Sequence, residues 1–466
     1  MLFRAQNLGP IRDAELDLSK SLIILAGPNN SGKTYLGWAL YGLSHFNKPL
    51  PCVRHMIDGA VKSLTGIYDA GPTGDFIALF TEELCASYAQ NIHRDFSATA
   101  RTFASLQLTL IPDLIKLSRY GGIYRTREHL IRFEIYDSEG ILSLRLIATK
   151  NHRESERVSH QNDTSDDTND GKVLLASLAT GSLEKFAERT SQSLTRRLSW
   201  GLFHSAFTIF PVERIATTIF ARELLIRRVE MLEEDAIETE APASVPPAAG
   251  RYPLPIRHSL LAAADLDALS VEVSIFHDLA EELEGSVLQG SFKVDEHGEV
   301  LFIPRTSPEQ TLGLHQSASV VKSLSALVFY FRHLADEGDS IIIDEPELNL
   351  HPDNQRRVAR VLAKASNRGI KVMMSTHSDY LIGEFNNLLM LGRDTPQAAE
   401  VRQELGYDVA SVLKPEQVGV YLVSDGLCKP VEVKQTGFEI KTFEDAFHSM
   451  NRDAQTIYNR VFAESE

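Results

Sequence analysis

Apolar and polar residues alternate over the first twenty positions around Asn7-Leu8-Gly9-Pro10, which predicts a β-hairpin. Leu22-Ile23-Ile24-Leu25 is a continuous apolar run, the mark of a strand buried on both faces, and Tyr35 to Leu43 carries apolar residues at helical spacing. Residues 53–120 read as mostly helical. Over 130–149 the period changes to two: Ile131, Phe133 and Ile135 precede the turn Ser138-Glu139-Gly140, and Leu142, Leu144 and Leu146 follow it. Residues 182–200 and 214–233 read as helices, and Val287–Val294 and Val300–Ile303 as a hairpin turning at 296–298. Val321, Leu324, Leu327, Val328, Phe331 and Leu334 then mark one face of an amphipathic helix. Two apolar strands follow, Ser340–Ile343 and Lys371–Met374, separated by a helix marked by Val358, Val361, Leu362 and Ala365. Strand, helix, strand in that order requires a crossover and hence a parallel sheet. The chain closes with a hairpin turning at Asp425-Gly426 and a helical tail rich in Phe and Tyr, and it shows neither a fixed-period repeat nor sustained heptads.

Two polar stretches interrupt this pattern. Residues 161–171 are acidic and polar and read as a disordered loop, while 233–250 are acidic, then rich in Ala and Pro, and read as a linker. The 466 residues, 43% hydrophobic and 24% charged, have an ordinary globular composition, with length for more than one domain. No apolar run is long enough to span a bilayer, and the first residues lack the pattern of a signal peptide, so a cytoplasmic protein without membrane partners is expected. Cys52, Cys85 and Cys428 are widely spaced and suit neither a disulfide framework nor a zinc site, so they are expected to be small buried residues. A net charge of −16 argues against a surface that coats nucleic acid, which needs clustered Lys and Arg. The local groups Arg119, Arg125, Arg127 and Arg132, Arg196-Arg197 and Arg227-Arg228 read as solvated faces.

The chemistry begins at Gly27-Pro28-Asn29-Asn30-Ser31-Gly32-Lys33-Thr34, which fits the phosphate-binding pattern G-x-x-x-x-G-K-[ST] between a predicted strand and a predicted helix. That order is needed because loop N–H groups and a helix N-terminus together present partial positive charge to phosphates. Asn29, Asn30 and Ser31 belong to the cradle, Lys33 is placed to reach the β/γ-phosphates of ATP, and the Thr34 hydroxyl to bind Mg²⁺. Asp344-Glu345 follows the apolar strand Ile341-Ile342-Ile343 and so stands in the crevice where parallel sheets bind ligands. Asp344 is assigned to Mg²⁺ and Glu345 to orienting or deprotonating the attacking water. His377, in Ser375-Thr376-His377-Ser378, ends the next strand and emerges at the same sheet edge, where its ring is placed to contact the γ-phosphate.

Gly27–Thr34, Ser340–Pro352 and Ser375–Ser378 together resemble the ABC-type ATPase heads of the RecF, SMC and OLD group. The resemblance is dense over the first 45 residues and again from about 315 to 392. It implies that Asp344 to Pro352 is the Walker B strand end with its following D-loop and that His377 is the switch histidine. The segment at the family's signature position, Gln316 to Leu324, lacks the family glycine but offers Ser317, Ser319 and Lys322 as donors to a γ-phosphate. A finer resemblance, to the ATPase subunits of anti-phage systems such as PARIS and Septu, rests on Pro211-Val212-Glu213-Arg214, on the same serines and lysine, and on Asn349 to Gln355. In such a fold Arg214 either approaches the nucleotide or makes an ion pair.

Lys33 and Asp344 stand 311 positions apart, so a large insertion must leave the nucleotide core and return to it. The expected fold is α/β: an ABC-type P-loop ATPase head with a mostly parallel core sheet and an antiparallel β-lobe, interrupted by a mainly helical insertion. The head is expected to comprise 1–45 and 310–466, joined by strands near 130–150 and 285–305, and the insertion lobe to span 46–310. The resemblance implies ATP-dependent head-to-head dimers in which Ser317 to Lys322 of one subunit covers the ATP of another. It implies a slow, regulatory ATPase that senses or scaffolds, with a separate effector, a nuclease, as partner and a phage-derived trigger. Fewer than fifty residues follow Val423 and they hold no Asp-x-Asp pair, so any cutting is expected of a partner. The alternatives are a RecF-like DNA-repair ATPase, which salt-dependent DNA binding would favour, and a transporter ATPase subunit, which membrane co-fractionation would favour.

Overall fold

The computed structural model describes residues 1–63, 67–112, 120–125, 129–138, 141–150, 180–203, 205, 207–221, 252–264, 272–295 and 299–461. The expected loop at 161–171, the linker at 233–250 and the hairpin turns at 139–140 and 296–298 lie outside them. The chain divides into two compact units.

The larger unit holds residues 3–42, 91–106 and 207–466. Its main sheet runs, in spatial order, through Leu2–Leu8, Ile11–Asp17, Leu427–Val431, Val418–Ser424, Leu22–Ala26, Lys371–Thr376, Ser340–Asp344 and Phe207–Phe210. From Val418–Ser424 to Phe207–Phe210 every neighbouring pair is parallel. Leu22–Ala26 and Ser340–Asp344 are buried at every position, as a strand covered on both faces must be. Their registers set the site: Ala26 is level with Thr376, and Ser375 with Asp344, so the phosphate loop, the acidic pair and the histidine leave the sheet at one edge.

The N-terminal hairpin turns with Asn7 and Gly9 at positive φ, and the C-terminal one with Asp425 and Gly426, the conformations that tight hairpins require. Helix Pro352–Asn367 crosses between the two central strands and buries Val358, Val361, Leu362 and Ala365. Its start is set by His351 as N-cap and by Pro352, whose missing N–H costs nothing at the first turn. Helix Ser319–Phe329 continues as a π-helical turn over Tyr330–Leu334, which seats Tyr330 against Phe210 and lets its hydroxyl donate to Asp339. A separate antiparallel sheet joins Gly290–Val294, Val300–Pro304 and Leu312–Gly313. Val287 and Leu288, which the sequence pattern places in a strand, lie instead in the π-helical turn Glu284–Leu288. Both are buried in the same core as helix Ser319–Phe329, so their apolar character answers to helical rather than strand packing.

The smaller unit holds residues 1–2, 43–90 and 107–206. Helix Pro51–Lys62 packs against Thr180–Phe203 and against an antiparallel sheet. That sheet runs Ile67–Pro72, Ile141–Lys150, His129–Ser138, Tyr120–Arg125, and the 129–138 and 141–150 strands pair along their full lengths. The strands near 130–150 therefore belong to this four-stranded sheet, and those near 285–305 to the three-stranded sheet of the larger unit. Cys52, Cys85 and Cys428 are all buried, and burial pushes the Cys85 and Cys428 thiols up to about 12, which makes them poor nucleophiles. Among the described residues no helix is long and apolar enough to cross a membrane.

Candidate nucleotide site

The phosphate loop joins strand Leu22–Ala26 to helix Lys33–Ser44. Two of its residues must be glycine. Gly27 has φ +147°, and a Cβ there would lie 2.1 Å from the Val423 carbonyl oxygen; Gly32 has φ +102°, and a Cβ would lie 2.6 Å from the Ile11 side chain. Asn30 takes the left-handed conformation between them, while Asn29 and Asn30 are exposed and Thr34 is half-buried. Lys33 is buried and its ammonium donates to the carbonyls of Gly27 (3.0 Å) and Pro28 (2.8 Å) and to Ser31 Oγ (3.4 Å). Burial pulls that ammonium down to about 8 although Glu345, Asp344 and Glu347 favour its charge.

Those three carboxylates lie at the end of strand Ser340–Asp344 and on the loop that follows it. Asp344 is 2% exposed; Ser375 Oγ donates to its Oδ1 at 2.7 Å, while Oδ2 is buried without a hydrogen-bond partner among the described residues. Burial pushes its carboxyl up to about 6 against the effect of the Ser375 hydrogen bond. Glu345 sits at φ +49°, a costly conformation for a side chain of its size, with its N–H donating to the Ser375 carbonyl at 3.1 Å. Its carboxylate lies 3.7 Å from His377 Nε2. Burial and the Lys33 charge hold the His377 ring below the usual imidazole range, against Glu345 and a hydrogen bond with the Gly27 backbone. The ring is therefore mostly neutral at pH 7 and sits between the phosphate loop and the glutamate.

The structure brings Gly27, Lys33, Asp344, Glu345 and His377 to one crevice. It does not bring Ser317, Ser319 and Lys322 there. Ser317 is buried and donates to the Gly313 carbonyl, Ser319 opens helix Ser319–Phe329 and is exposed, and Lys322 is half-buried on the first turn. No hydrogen bond or ion pair among the described residues links these three to the phosphate loop.

Two further residues shape the site in ways the sequence pattern did not single out. Glu347 is nearly buried, and its Oε1 accepts from Thr376 Oγ1 (2.9 Å) and from the His377 N–H (2.7 Å), so it ties the acidic loop to the histidine loop. Burial pushes its carboxyl upward. The signal for it was its place as the third acid in Asp344-Glu345-Pro346-Glu347. Arg214 is 3% exposed and makes no ion pair among the described residues; its guanidinium donates to the carbonyls of Asp344 (2.6 Å), Glu345 (2.7 Å) and Ser323 (2.9 Å). Beyond them, Gln355 donates to the Leu350 carbonyl and is hydrogen-bonded to Ser378 Oγ, which fixes the far end of the acidic loop to the cap of helix Asp379–Leu391.

These residues fit a nucleotide with Mg²⁺. Asp344 Oδ2 is a buried acceptor with no donor among the described residues, and the glycine path leaves no room for a Cβ. That donor set suits a cation that takes one carboxylate, a hydroxyl and the substrate's own phosphates.

Residues 265–382 match the family described as an AAA ATPase domain, a span that includes the acidic loop and His377 but not the phosphate loop. Among solved structures, the SMC head bound to the C-winged helix domain of ScpA is 14% identical, covering 92% of this chain and 96% of its own, with a TM-score of 0.34. The SMC head domain from Thermotoga maritima is 10% identical, covering 93% and 98%, with a TM-score of 0.30. The SMC head domain with an extended coiled coil bound to the C-terminal domain of ScpA, derived from Pyrococcus furiosus, is 14% identical, covering 97% and 98%, with a TM-score of 0.32. No curated protein matches the chain. The family match and the convergence of Lys33, Asp344 and Glu345 at one sheet edge indicate an ATP-binding domain of the P-loop ATPase type.

Proposed function

We propose that this protein is a slow, regulatory ATPase of the ABC head type, whose site is completed when two heads meet, and that its assembly state controls a separate effector, a nuclease, in anti-phage defence. The observation that carries the ATPase reading is the buried Asp344 carboxylate, its Oδ2 without a hydrogen-bond partner among the described residues, whose charge acts on Lys33 together with that of Glu345, itself 3.7 Å from His377.

Within that reading Lys33 turns from the loop carbonyls to the phosphates, where its charge is better used. Mg²⁺, held by Asp344 and the Thr34 hydroxyl, would neutralise charge developing on the phosphates. Glu345 is the general base that orients or deprotonates water, and its left-handed backbone aims the carboxylate into the crevice beside His377. The neutral His377 ring, on a loop whose backbone N–H at residue 377 donates to Glu347, is suited to donate to a γ-phosphate and to register its loss.

In head-to-head assembly the helix N-terminus at Ser319, exposed, and Lys322, half-buried on its first turn, would face another chain's nucleotide, with Ser317 holding the preceding turn through the Gly313 carbonyl. ATP then acts as a ligand for the dimer, because it gains contacts only in the closed state. The resemblance to PARIS- and Septu-type ATPase subunits supports the defence role, and the −16 charge favours a protein effector over direct nucleic-acid coating.

Phosphate release from ATP and Mg²⁺ by the purified chain tests the enzyme reading. Release abolished in both Lys33→Ala and Glu345→Gln supports it, and release unchanged in both overturns it. Isolation of the native complex tests the effector reading: a co-purifying nuclease supports it, and a chain that purifies alone from phage-challenged cells contradicts it.

A further inference from the structure

A guanidinium is costly to bury, and Arg214 is buried against neutral carbonyl acceptors. Its position follows from strand Phe207–Phe210, which lies parallel to Ser340–Asp344 with Phe210 level with Ile343, so the chain leaves the sheet beside the acidic loop. From there the planar fork spans two segments. Nη1 and Nη2 take the carbonyls of Asp344 and Glu345, and Nε takes that of Ser323 on the second turn of helix Ser319–Phe329. Ser323 returns the link from the other side, its hydroxyl donating to the Leu348 carbonyl at 2.8 Å.

The acidic loop and the helix that begins at Ser319 are thus joined at three carbonyls by one rigid cation and at a fourth by a hydroxyl. Glu345 is in the left-handed region and Arg214 holds its carbonyl, so a change in its backbone angles when the loop takes a ligand turns that carbonyl. The geometry points to Arg214 as a positioning residue that couples a chain's own acidic loop to its own covering segment, Ser317 to Lys322. Through it, the nucleotide state of one composite site sets how well this chain completes the partner's site. This inference rests on the head-to-head reading and adds to it a route between the two sites, hence cooperativity in ATP. Lysine carries all its donors on one nitrogen and does not reproduce a planar fork whose Nε, Nη1 and Nη2 each reach a different carbonyl.

The test compares the full chain with Arg214→Lys and Ser323→Ala in ATP binding, steady-state hydrolysis and ATP-induced assembly. The parent is expected to show a Hill coefficient above one. Arg214→Lys is expected to lower kcat about tenfold and bring the Hill coefficient to about one, with ATP affinity of the unassembled chain changed less than about twofold. Ser323→Ala, which removes only a hydroxyl, is expected to move kcat about threefold in the same direction, again without changing affinity. A merely structural role would lower affinity and thermal stability together with kcat. If Arg214→Lys does not fold, Ser323→Ala decides: unchanged kcat and cooperativity in that variant overturn the coupling. A parent that assembles with ATP while both variants match it also overturns the coupling alone. A parent that binds ATP and never assembles overturns the head-to-head reading beneath it.

Discussion

The two halves of the candidate site are built on opposite principles. The phosphate loop is fixed from within: Gly27 and Gly32 take backbone angles that other residues resist, Lys33 bonds to the loop's own carbonyls, and everything needed lies in eight consecutive positions. The acidic loop is fixed from outside. Arg214 holds the carbonyls of residues 344 and 345, Ser323 that of 348, Ser375 the Asp344 carboxylate, and Glu347 reaches across to Thr376 and His377. A self-contained loop can bind phosphates on its own, whereas a loop held by several segments reports on all of them. The difference suits a protein in which binding and response are separable.

Four substitutions sharpen or break that contrast. The largest effect is expected for Glu345→Gln, which removes the base while leaving every backbone contact in place: hydrolysis should fall by about a thousandfold with ATP affinity retained, measured as phosphate release beside equilibrium binding. Lys33→Ala should do the reverse on the other half, weakening ATP binding by about a hundredfold through loss of charge-assisted hydrogen bonds, read by titration of a fluorescent nucleotide. Glu347→Ala frees the His377 loop from the acidic loop; kcat is expected to drop about tenfold with little change in affinity, and an equal loss of affinity would show that the two halves are not separable. Thr376→Val, which deletes one of the two donors to Glu347, is expected to lower thermal stability by about 1 kcal/mol and kcat by less than about threefold, measured on one preparation by calorimetry and kinetics.

The same contrast governs what the sequence made legible. Gly27 to Thr34 could be read directly, because its chemistry is contiguous and needs only a strand before it and a helix after it. Asp344 and His377 were legible as strand ends, since a uniformly apolar strand in a parallel sheet must deliver its next residue to the ligand edge. Arg214 was not legible as a clamp: apart from the Pro211 carbonyl close by, its acceptors are backbone carbonyls more than a hundred positions away, and a carbonyl leaves no mark on residue type. Glu347 was hidden for a related reason, its partners being a hydroxyl and an N–H that only the register of two strands brings near. In the fold, residues 53–120 read as mostly helical, yet they include strand Ile67–Pro72, whose half-exposed positions give no period of two. The π-helical turns at 284–288 and 330–334 likewise carry a period that neither helix nor strand templates match.

On the proposed reading, ATP bound at this half-site closes it against a second copy. Glu345→Gln should hold that closed state, so its mass by light scattering should double on adding ATP and Mg²⁺ and return to the starting value when Lys33→Ala is added to the same chain. A Glu345→Gln chain that binds ATP, as shown by titration, and keeps the same mass with and without it would contradict the claim.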